Sequence, residues 1–330
     1  MRHQNVVIFG GSGFVGSRII ARLAADGRRI SLVTRKREHA QALILLPTVD
    51  VIEGDPFDAA FLQRAMRGQD AVINLIGVLH SDTGTPYGRD FARAHVEVVR
   101  GLVSAALAER VPRFLQMSAL GAAADAPSMY LRSKYDGEEA ALNSGLAATV
   151  FRPSVVFGPG DHFLNMFATL QRYFPVMPIA CAEVRFEPVF VGDVASAFFH
   201  GLDAVKSYGR CYELVGPRIY TLKEIVKLAG AASGHPRPVL ALPEALGMLQ
   251  AGVMEKMPGP RLLSRDNLRS MKIDNIASGS CAGLEAPELG GATEFRPTPI
   301  EQVALEMLGG NDPRAELNNL RRSAHRPSEP

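Results

Sequence analysis

The chain has 330 residues, 47% of them apolar and 21% charged, with a formal net charge of +2. This is the composition of an ordinary globule, long enough for one large α/β domain and a smaller lobe. The charge is too small to attract nucleic acid, and no apolar run reaches the ~18 residues that span a bilayer.

In chain order, Val6-Val7-Ile8-Phe9 is a β-branched apolar run that ends in a glycine turn, Gly10-Gly11-Ser12-Gly13-Phe14-Val15-Gly16. An amphipathic helix follows, with Ile19, Ile20 and Leu23 on one face. In a turn of this spacing Gly10 lets the chain leave the strand tightly. Gly13 lets the backbone approach a pyrophosphate, and Gly16 lets the helix lie close on the sheet. The phosphates sit at the helix N-terminus, so Ser12, Phe14 and Val15 are expected to contact them. The alternative is a glycine turn with no ligand, but the strand before it and the helix after it supply the context a dinucleotide site requires. The first strand begins by Asn5, so no signal peptide is expected before it.

Strands are expected at 30–34, 49–52, 71–77, 113–118 and 148–151. Helices are expected between them at 57–66, 91–109 and 128–143. This alternation predicts an α/β fold, a doubly wound parallel sheet with a smaller C-terminal lobe. Residues 1–155, with part of 185–200, would form the dinucleotide-binding domain. Residues 156–310 would mostly form the small lobe, and the polar stretch 311–330 reads as a disordered tail. In the second half, 184–191 reads as a strand and 193–202 as a helix opened by Asp193. Thr221 and Glu224 form a capping box for a helix at 221–232. The apolar, methionine-rich stretch 243–257 reads as an amphipathic helix, either small-lobe core or a surface for a partner, with core the preferred reading. Cys181, Cys211 and Cys281 are scattered, without metal-ligand spacing, and read as buried thiols in a reducing, cytosolic compartment.

The end of the second strand bears on the cofactor. An acid there would bind the ribose hydroxyls of NAD. This chain has Thr34 followed by Arg35, Lys36 and Arg37. A guanidinium can grip a 2′-phosphate through paired hydrogen bonds, so NADP(H) is favoured over NAD(H). Asp55, after the third strand, can accept from the adenine amino group. Leu75, Ile76 and Gly77, at the end of the fourth, would lie over the middle of the cofactor. Tyr130 and Lys134, four apart on a helix, point the same way. The lysine charge is expected to lower the tyrosine pKa for proton transfer, and the amine can also hold the nicotinamide ribose. Ser118 is placed to hydrogen-bond a substrate oxygen.

With these residues in order, the chain resembles the short-chain dehydrogenase/reductase superfamily in its extended or atypical branch, over about residues 5 to 310. Arg152-Pro153-Ser154-Val155-Val156-Phe157-Gly158-Pro159-Gly160 and Val189-Phe190-Val191-Gly192-Asp193-Val194-Ala195 also match that pattern. More narrowly, it is similar to bacterial relatives of the alpha-subcomplex subunit nine family of respiratory complex I. The first glycine phrase, Leu43-Ile44-Leu45-Leu46-Pro47 and Phe151-Arg152-Pro153-Ser154 carry that likeness. The resemblance implies that Pro153, Ser154 and Val155 line the nicotinamide. It also implies that members of the narrower group hold NADPH structurally.

One position departs from the family. Where extended members carry an asparagine that places a relay water, this chain has His95, read either as a relay group or as a core histidine with a satisfied partner. No histidine pair has metal spacing with a carboxylate, so no metal is expected. Two functions are therefore open. One is an NADPH-dependent oxidoreductase with Ser118, Tyr130 and Lys134 as catalytic residues and a small, apolar or quinone-like substrate. The other is a non-catalytic NADPH-binding protein serving respiratory-complex assembly or quinone metabolism, cytoplasmic and peripheral to the inner membrane. A sugar-nucleotide epimerase or dehydratase is a third option, with Arg185, Arg210 and Arg218 as diphosphate ligands.

Overall fold

A computed structural model describes residues 2–255, 263–290 and 296–309. The expected tail at 311–330 and the last two residues of the expected 243–257 helix lie outside the described residues.

The first half alternates strand and helix as expected. The elements are β1 (Asn5–Phe9), α1 (Phe14–Ala25), β2 (Arg29–Thr34), β3 (Val49–Glu53), α2 (Ala59–Met66) and β4 (Ala71–Asn74). After β4 a short helix α3 (Arg89–Phe91) runs through a π-helical stretch, Ala92–Glu97, into α4 (Val98–Ala108). Then come β5 (Arg113–Met117), α5 (Met129–Leu142), β6 (Ala147–Pro153) and β7 (Val156–Phe157). The second half holds α6 (Phe163–Tyr173), β8 (Met177–Ala180), β9 (Arg185–Phe186), β10 (Val189–Phe190), α7 (Val191–Asp203) and β11 (Arg210–Leu214). It continues with β12 (Tyr220–Thr221), α8 (Leu222–Ala232), β13 (Val239–Leu242), α9 (Glu244–Met254), α10 (Arg265–Ser270) and α11 (Ile300–Leu308).

Seven strands make one parallel sheet in the order β11-β6-β5-β4-β1-β2-β3. Alternation along β1 buries both of its faces, because successive side chains point to opposite sides. Val6 and Ile8 pack with Ile19, Ile20 and Leu23 of α1 and Phe198 of α7. Val7 and Phe9 pack with Phe61 and Leu62 of α2 and Val98 and Leu102 of α4. The sheet order reverses direction at β1–β4, the switch point outside which ligands bind in such folds. A separate core is built from Phe157, Leu164, Phe167, Ile225, Val226, Ile300 and Leu308. The chain then returns to the large sheet with α7 and β11, further along than the expected 185–200.

Four expectations are corrected. The strand expected at 184–191 is two short strands. β9 pairs antiparallel with β12, and β10 pairs parallel with β7. Pro188 lies between them and has no N–H to continue a ladder. Asp193 stands in the first turn of α7, near the cap as expected, but it is not the cap, since its carboxylate accepts the N–H and hydroxyl of Thr298. Helix α9 is not core. It lies on β8 through Gly247, whose missing side chain makes room for Ala180, while Leu246, Leu249 and Val253 face out. Lastly, Cys211 and Cys281 are joined in a disulfide with Cα atoms 5.5 Å apart, leaving Cys181 free. They are 70 residues apart in sequence, and a bridge between Tyr212 and Ala282 at the sheet edge brings them together.

Candidate functional site

The glycine turn leaves β1 at Gly10, which has φ of +75°, and a Cβ there would sit 2.9 Å from the backbone nitrogen of Ile76. The turn therefore passes hard against the end of β4. At Gly16 a Cβ would come 2.5 Å from the Cα of Gly11, so helix and turn touch backbone to backbone. Gly13 differs, because a Cβ there would meet only the Gly10 carbonyl oxygen, at 3.5 Å. The space over Gly13 is open, and no side chain caps α1. The first amides of a helix have no intrahelical partner. An open cradle above uncapped amides at a positive helix end fits a pyrophosphate. Arg35 and Lys36 are exposed just past β2, where Thr34 Oγ1 braces the turn by bonding the Lys36 carbonyl. Asp55 is exposed, with one carboxylate oxygen held by the Phe57 N–H.

Strand β4 stops at Asn74 rather than running on to Gly77. The Asn74 amide donates to Gln116 of β5, and its oxygen takes the Ile76 N–H, which fixes Leu75, Ile76 and Gly77 as an irregular ledge. A Cβ on Gly77 would lie 3.1 Å from Lys134 Nζ and 3.5 Å from His95 Nε2. Ledge, lysine and histidine thus meet at one point. Helix α5 approaches the π-helical stretch because Gly137 leaves room for the His95 carbonyl. π segments widen a helix locally and often mark functional sites.

The protons of this cluster can be assigned. His95 Nε2 accepts the Val78 N–H at 3.0 Å, so Nδ1 carries the proton and donates to Ser133 Oγ at 2.8 Å. Ser133 in turn donates to the Tyr130 carbonyl at 2.7 Å. Burial and the Lys134 charge lower the His95 pKa to about 2, so the ring is neutral. Lys134 Nζ donates to the Met117 carbonyl at 3.3 Å, and burial brings the amine down to about 8 despite Glu138 one turn along. Glu138 is buried against Arg152, whose guanidinium meets it at 2.6 Å.

Two expected roles change here. The Tyr130 phenol is not drawn toward neutrality by Lys134, and burial pushes it up to about 12. Ser118 does not offer its hydroxyl to a cleft. Its Oγ is sealed from solvent without a well-formed hydrogen bond, and it acts on the Glu138 carboxylate beneath α5. His95 satisfies both of its ring nitrogens, which is the core-histidine reading.

The structure also brings in residues that sequence reasoning missed. The Asp266 carboxylate, on α10, accepts the N–H groups of Met129 and Tyr130 at 2.9 and 3.0 Å, at the start of the tyrosine helix. Asn275 Oδ1 accepts the Ser154 hydroxyl at 2.6 Å and the Val155 N–H at 3.1 Å, beside Pro153. Both lie more than a hundred residues from their partners, and no local pattern marks them. Ser133 could have been found, since it lies on the same helix face as Tyr130. Among the described residues no three His, Cys, Asp or Glu side chains gather where they could hold a metal ion.

A glycine cradle at the switch point of a parallel sheet, with Lys134 against its ledge and Tyr130 one turn before it on the same helix, defines a dinucleotide-binding protein of the Rossmann type. The pattern of the NAD dependent epimerase/dehydratase family matches residues 6–214, and the chain belongs to that family, an NAD(P)-binding one. It is 28% identical over 317 residues to NADH dehydrogenase [ubiquinone] 1 alpha subcomplex subunit 9, mitochondrial, of Arabidopsis thaliana, covering 92% of this chain and 78% of that protein. It is 30% identical over 260 residues to a ceramide reductase of Caulobacter vibrioides, covering 76% of each. Among solved structures, an NADPH-dependent quinone oxidoreductase of Escherichia coli complexed with NADPH superposes with a TM-score of 0.70 at 18% identity. That match covers 91% of this chain and 99% of the other.

Proposed function

We propose that the chain is an NADPH-dependent oxidoreductase that reduces a carbonyl in an apolar or quinone-like substrate. The observation that carries this reading is the stripe on α5, where Lys134 is anchored on Met117 beside Gly77 and Tyr130 stands one turn before it. NADPH, when bound, supplies the hydride. Gly10, Ser12, Gly13, Phe14 and Val15 would hold its pyrophosphate, Arg35 and Lys36 its 2′-phosphate, and Asp55 its adenine. Lys134 would hold the nicotinamide ribose, against the ledge of Leu75, Ile76 and Gly77 and the stretch Pro153, Ser154 and Val155. Tyr130 would deliver the proton to the carbonyl oxygen. An acid acts in its protonated form, so a phenol pushed up to about 12 stays loaded at neutral pH.

Val78 and Leu79, just past the ledge, and Ile273, over Gly121, are exposed apolar side chains that support an apolar substrate. The name of the Caulobacter relative supports a reductase. A diphosphate substrate is less well served. Arg185 is taken by Asp274 at 2.6 Å and Arg218 by Glu301 at 3.0 Å. Arg210 begins β11, at the end of the sheet away from the ledge.

A second reading has its own observation. With Ser118 sealed and His95 spent on Val78 and Ser133, the usual relay groups are engaged elsewhere. In this reading NADPH is a structural staple and the chain docks on a respiratory complex at the membrane surface, as the name of the Arabidopsis relative suggests. Among the described residues no helix is long and apolar enough to cross a membrane.

Native mass spectrometry of the purified protein, followed by NADPH oxidation assays with short-chain quinones and apolar ketones, tests the proposal. Retained NADPH that is oxidised by one of these substrates supports the reductase. Retained NADPH that none of them oxidises favours the staple. A protein that neither retains nor binds a dinucleotide overturns both.

A further inference from the structure

Ser154 and Val155 fall between β6 and β7, so no sheet ladder holds them in register with β6. The Ser154 N–H donates to Leu214 at 3.0 Å and the Val155 carbonyl accepts the Val189 N–H at 3.0 Å, while the Ser154 hydroxyl and the Val155 N–H are held from the small lobe. Asn275 Oδ1 receives both the Ser154 hydroxyl and the Val155 N–H. Asn275 is itself fixed through its main chain. Its N–H donates to the Arg185 carbonyl at 2.8 Å, and its carbonyl accepts the Glu187 N–H at 2.9 Å. The side chain is therefore aimed by β9 at one end and spent on Ser154 and Val155 at the other.

The same segment touches the other walls of the site. Upstream, Asp266 takes the first two amides of the tyrosine helix. Between them, Ile273 Cδ1 lies 3.0 Å from where a Cβ on Gly121 would stand, in the loop after β5. Asp274 pairs with Arg185. Residues 266–275 thus clasp the tyrosine helix, the β5 loop and the nicotinamide stretch together.

We propose that Asn275 is a positioning residue, which sets the conformation of Ser154 and Val155 and through them the nicotinamide half of the pocket. This rests on the reading that the chain binds NADPH with Pro153 to Val155 at the nicotinamide. Both bonds use Asn275 only as an acceptor, so a carboxylate oxygen can replace the amide oxygen. Among the described residues, no hydrogen bond joins Asn275 to β2, β3 or the glycine turn, on which the adenine half is built.

Calorimetry with two ligands separates the halves: NADPH, and 2′-phospho-ADP-ribose, which has the same adenine end but no nicotinamide. Asn275→Ala is expected to weaken NADPH about tenfold and to change 2′-phospho-ADP-ribose by less than about twofold. Asn275→Asp is expected to restore most of the loss. Hydrogen exchange at the Val155 amide should quicken in Asn275→Ala and return in Asn275→Asp. A residue with only a structural role would weaken both ligands alike, or neither, and either result overturns the proposal, as does a failure of Asn275→Asp to rescue. If Asn275→Ala does not fold, Ser154→Ala carries the same comparison, with an expected selective loss of about threefold. An unsubstituted chain that binds neither ligand overturns the cofactor reading and this inference with it. Unchanged selectivity in Asn275→Ala, with the parent binding both, overturns this inference alone.

Discussion

His95 Nε2 accepts the backbone N–H of Val78 across 3.0 Å and by doing so joins the π-helical stretch to the ledge that follows β4. The bond needs a lone pair on Nε2, so protonating the ring breaks it. An unfolded histidine titrates near 6.5, and in the fold the pKa is about 2. Between these values the unfolded chain binds a proton that the folded chain does not, so stability falls as pH drops below about 6.5. One such group contributes roughly 1 kcal/mol of loss per pH unit inside that window. Denaturant unfolding at pH 6.5 and 4.5 should show the loss, and His95→Gln, which keeps an acceptor but does not titrate there, should remove it. Equal acid sensitivity in parent and variant would show that His95 is not held neutral.

At the adenine end the expectation concerns charge. Arg35 stands where an acid would repel a 2′-phosphate, and it is exposed and free to turn toward one. The unsubstituted chain should bind NADPH about tenfold or more tightly than NADH, and Arg35→Asp should reverse the order, since a bidentate charged hydrogen bond is lost and a repulsion introduced. Calorimetry with both cofactors is the check. Equal affinities in the parent chain would contradict the assignment.

The tyrosine helix begins against a carboxylate from the small lobe. Asp266 satisfies the Met129 and Tyr130 amides, and Ser128 Oγ accepts the Leu131 N–H at 3.2 Å. Asp266→Ala leaves one buried and one half-buried donor unpaired and removes a negative charge from a positive helix end. The expected cost is roughly 2 to 4 kcal/mol. Asp266→Asn, which can still accept one of the two bonds, should cost about half as much. Denaturant unfolding measures both. Equal stability of the parent and Asp266→Ala would mean that water replaces the carboxylate.

The dinucleotide half was legible in the sequence because its signals are local. The spacing from Gly10 to Gly16, the alternation of apolar strands with amphipathic helices, and the four-residue step from Tyr130 to Lys134 each depend on neighbours along the chain. What was not legible depends on the fold. Ser118 falls just past the end of β5, and its hydroxyl lies under α5 toward Glu138. The strand expected at 184–191 breaks at Pro188 to serve two different partners. Helix α9 has an apolar sequence that reads as core, but it meets β8 through Gly247, Ala251 and the half-buried Met248, so Leu246, Leu249 and Val253 face out. Asp266, Asn275 and the Cys211–Cys281 bond join segments far apart in sequence, where no spacing rule applies.

The last expectation separates turnover from mere holding of the cofactor. Tyr130→Phe removes the phenolic proton but keeps the ring, which packs edge-on against Phe91 and His95 with centroids 5.9 and 5.5 Å away. Its backbone bond to Asp266 is untouched, so the fold and NADPH affinity should change little. If Tyr130 is the acid, the rate should fall about a hundredfold to ten-thousandfold, the usual loss for a general acid. Gly13→Val is the complementary variant. Its Cβ meets only the Gly10 carbonyl, so the chain should fold, but the branched side chain fills the cradle and should abolish dinucleotide binding. Lys134→Ala should weaken the cofactor under either reading and serves as a control. A deletion strain complemented with each variant gives the decision. If neither Tyr130→Phe nor Gly13→Val restores growth, the chemistry is needed. If Tyr130→Phe rescues and Gly13→Val does not, the protein needs its dinucleotide but not its acid, and the reductase proposal fails in favour of the structural one.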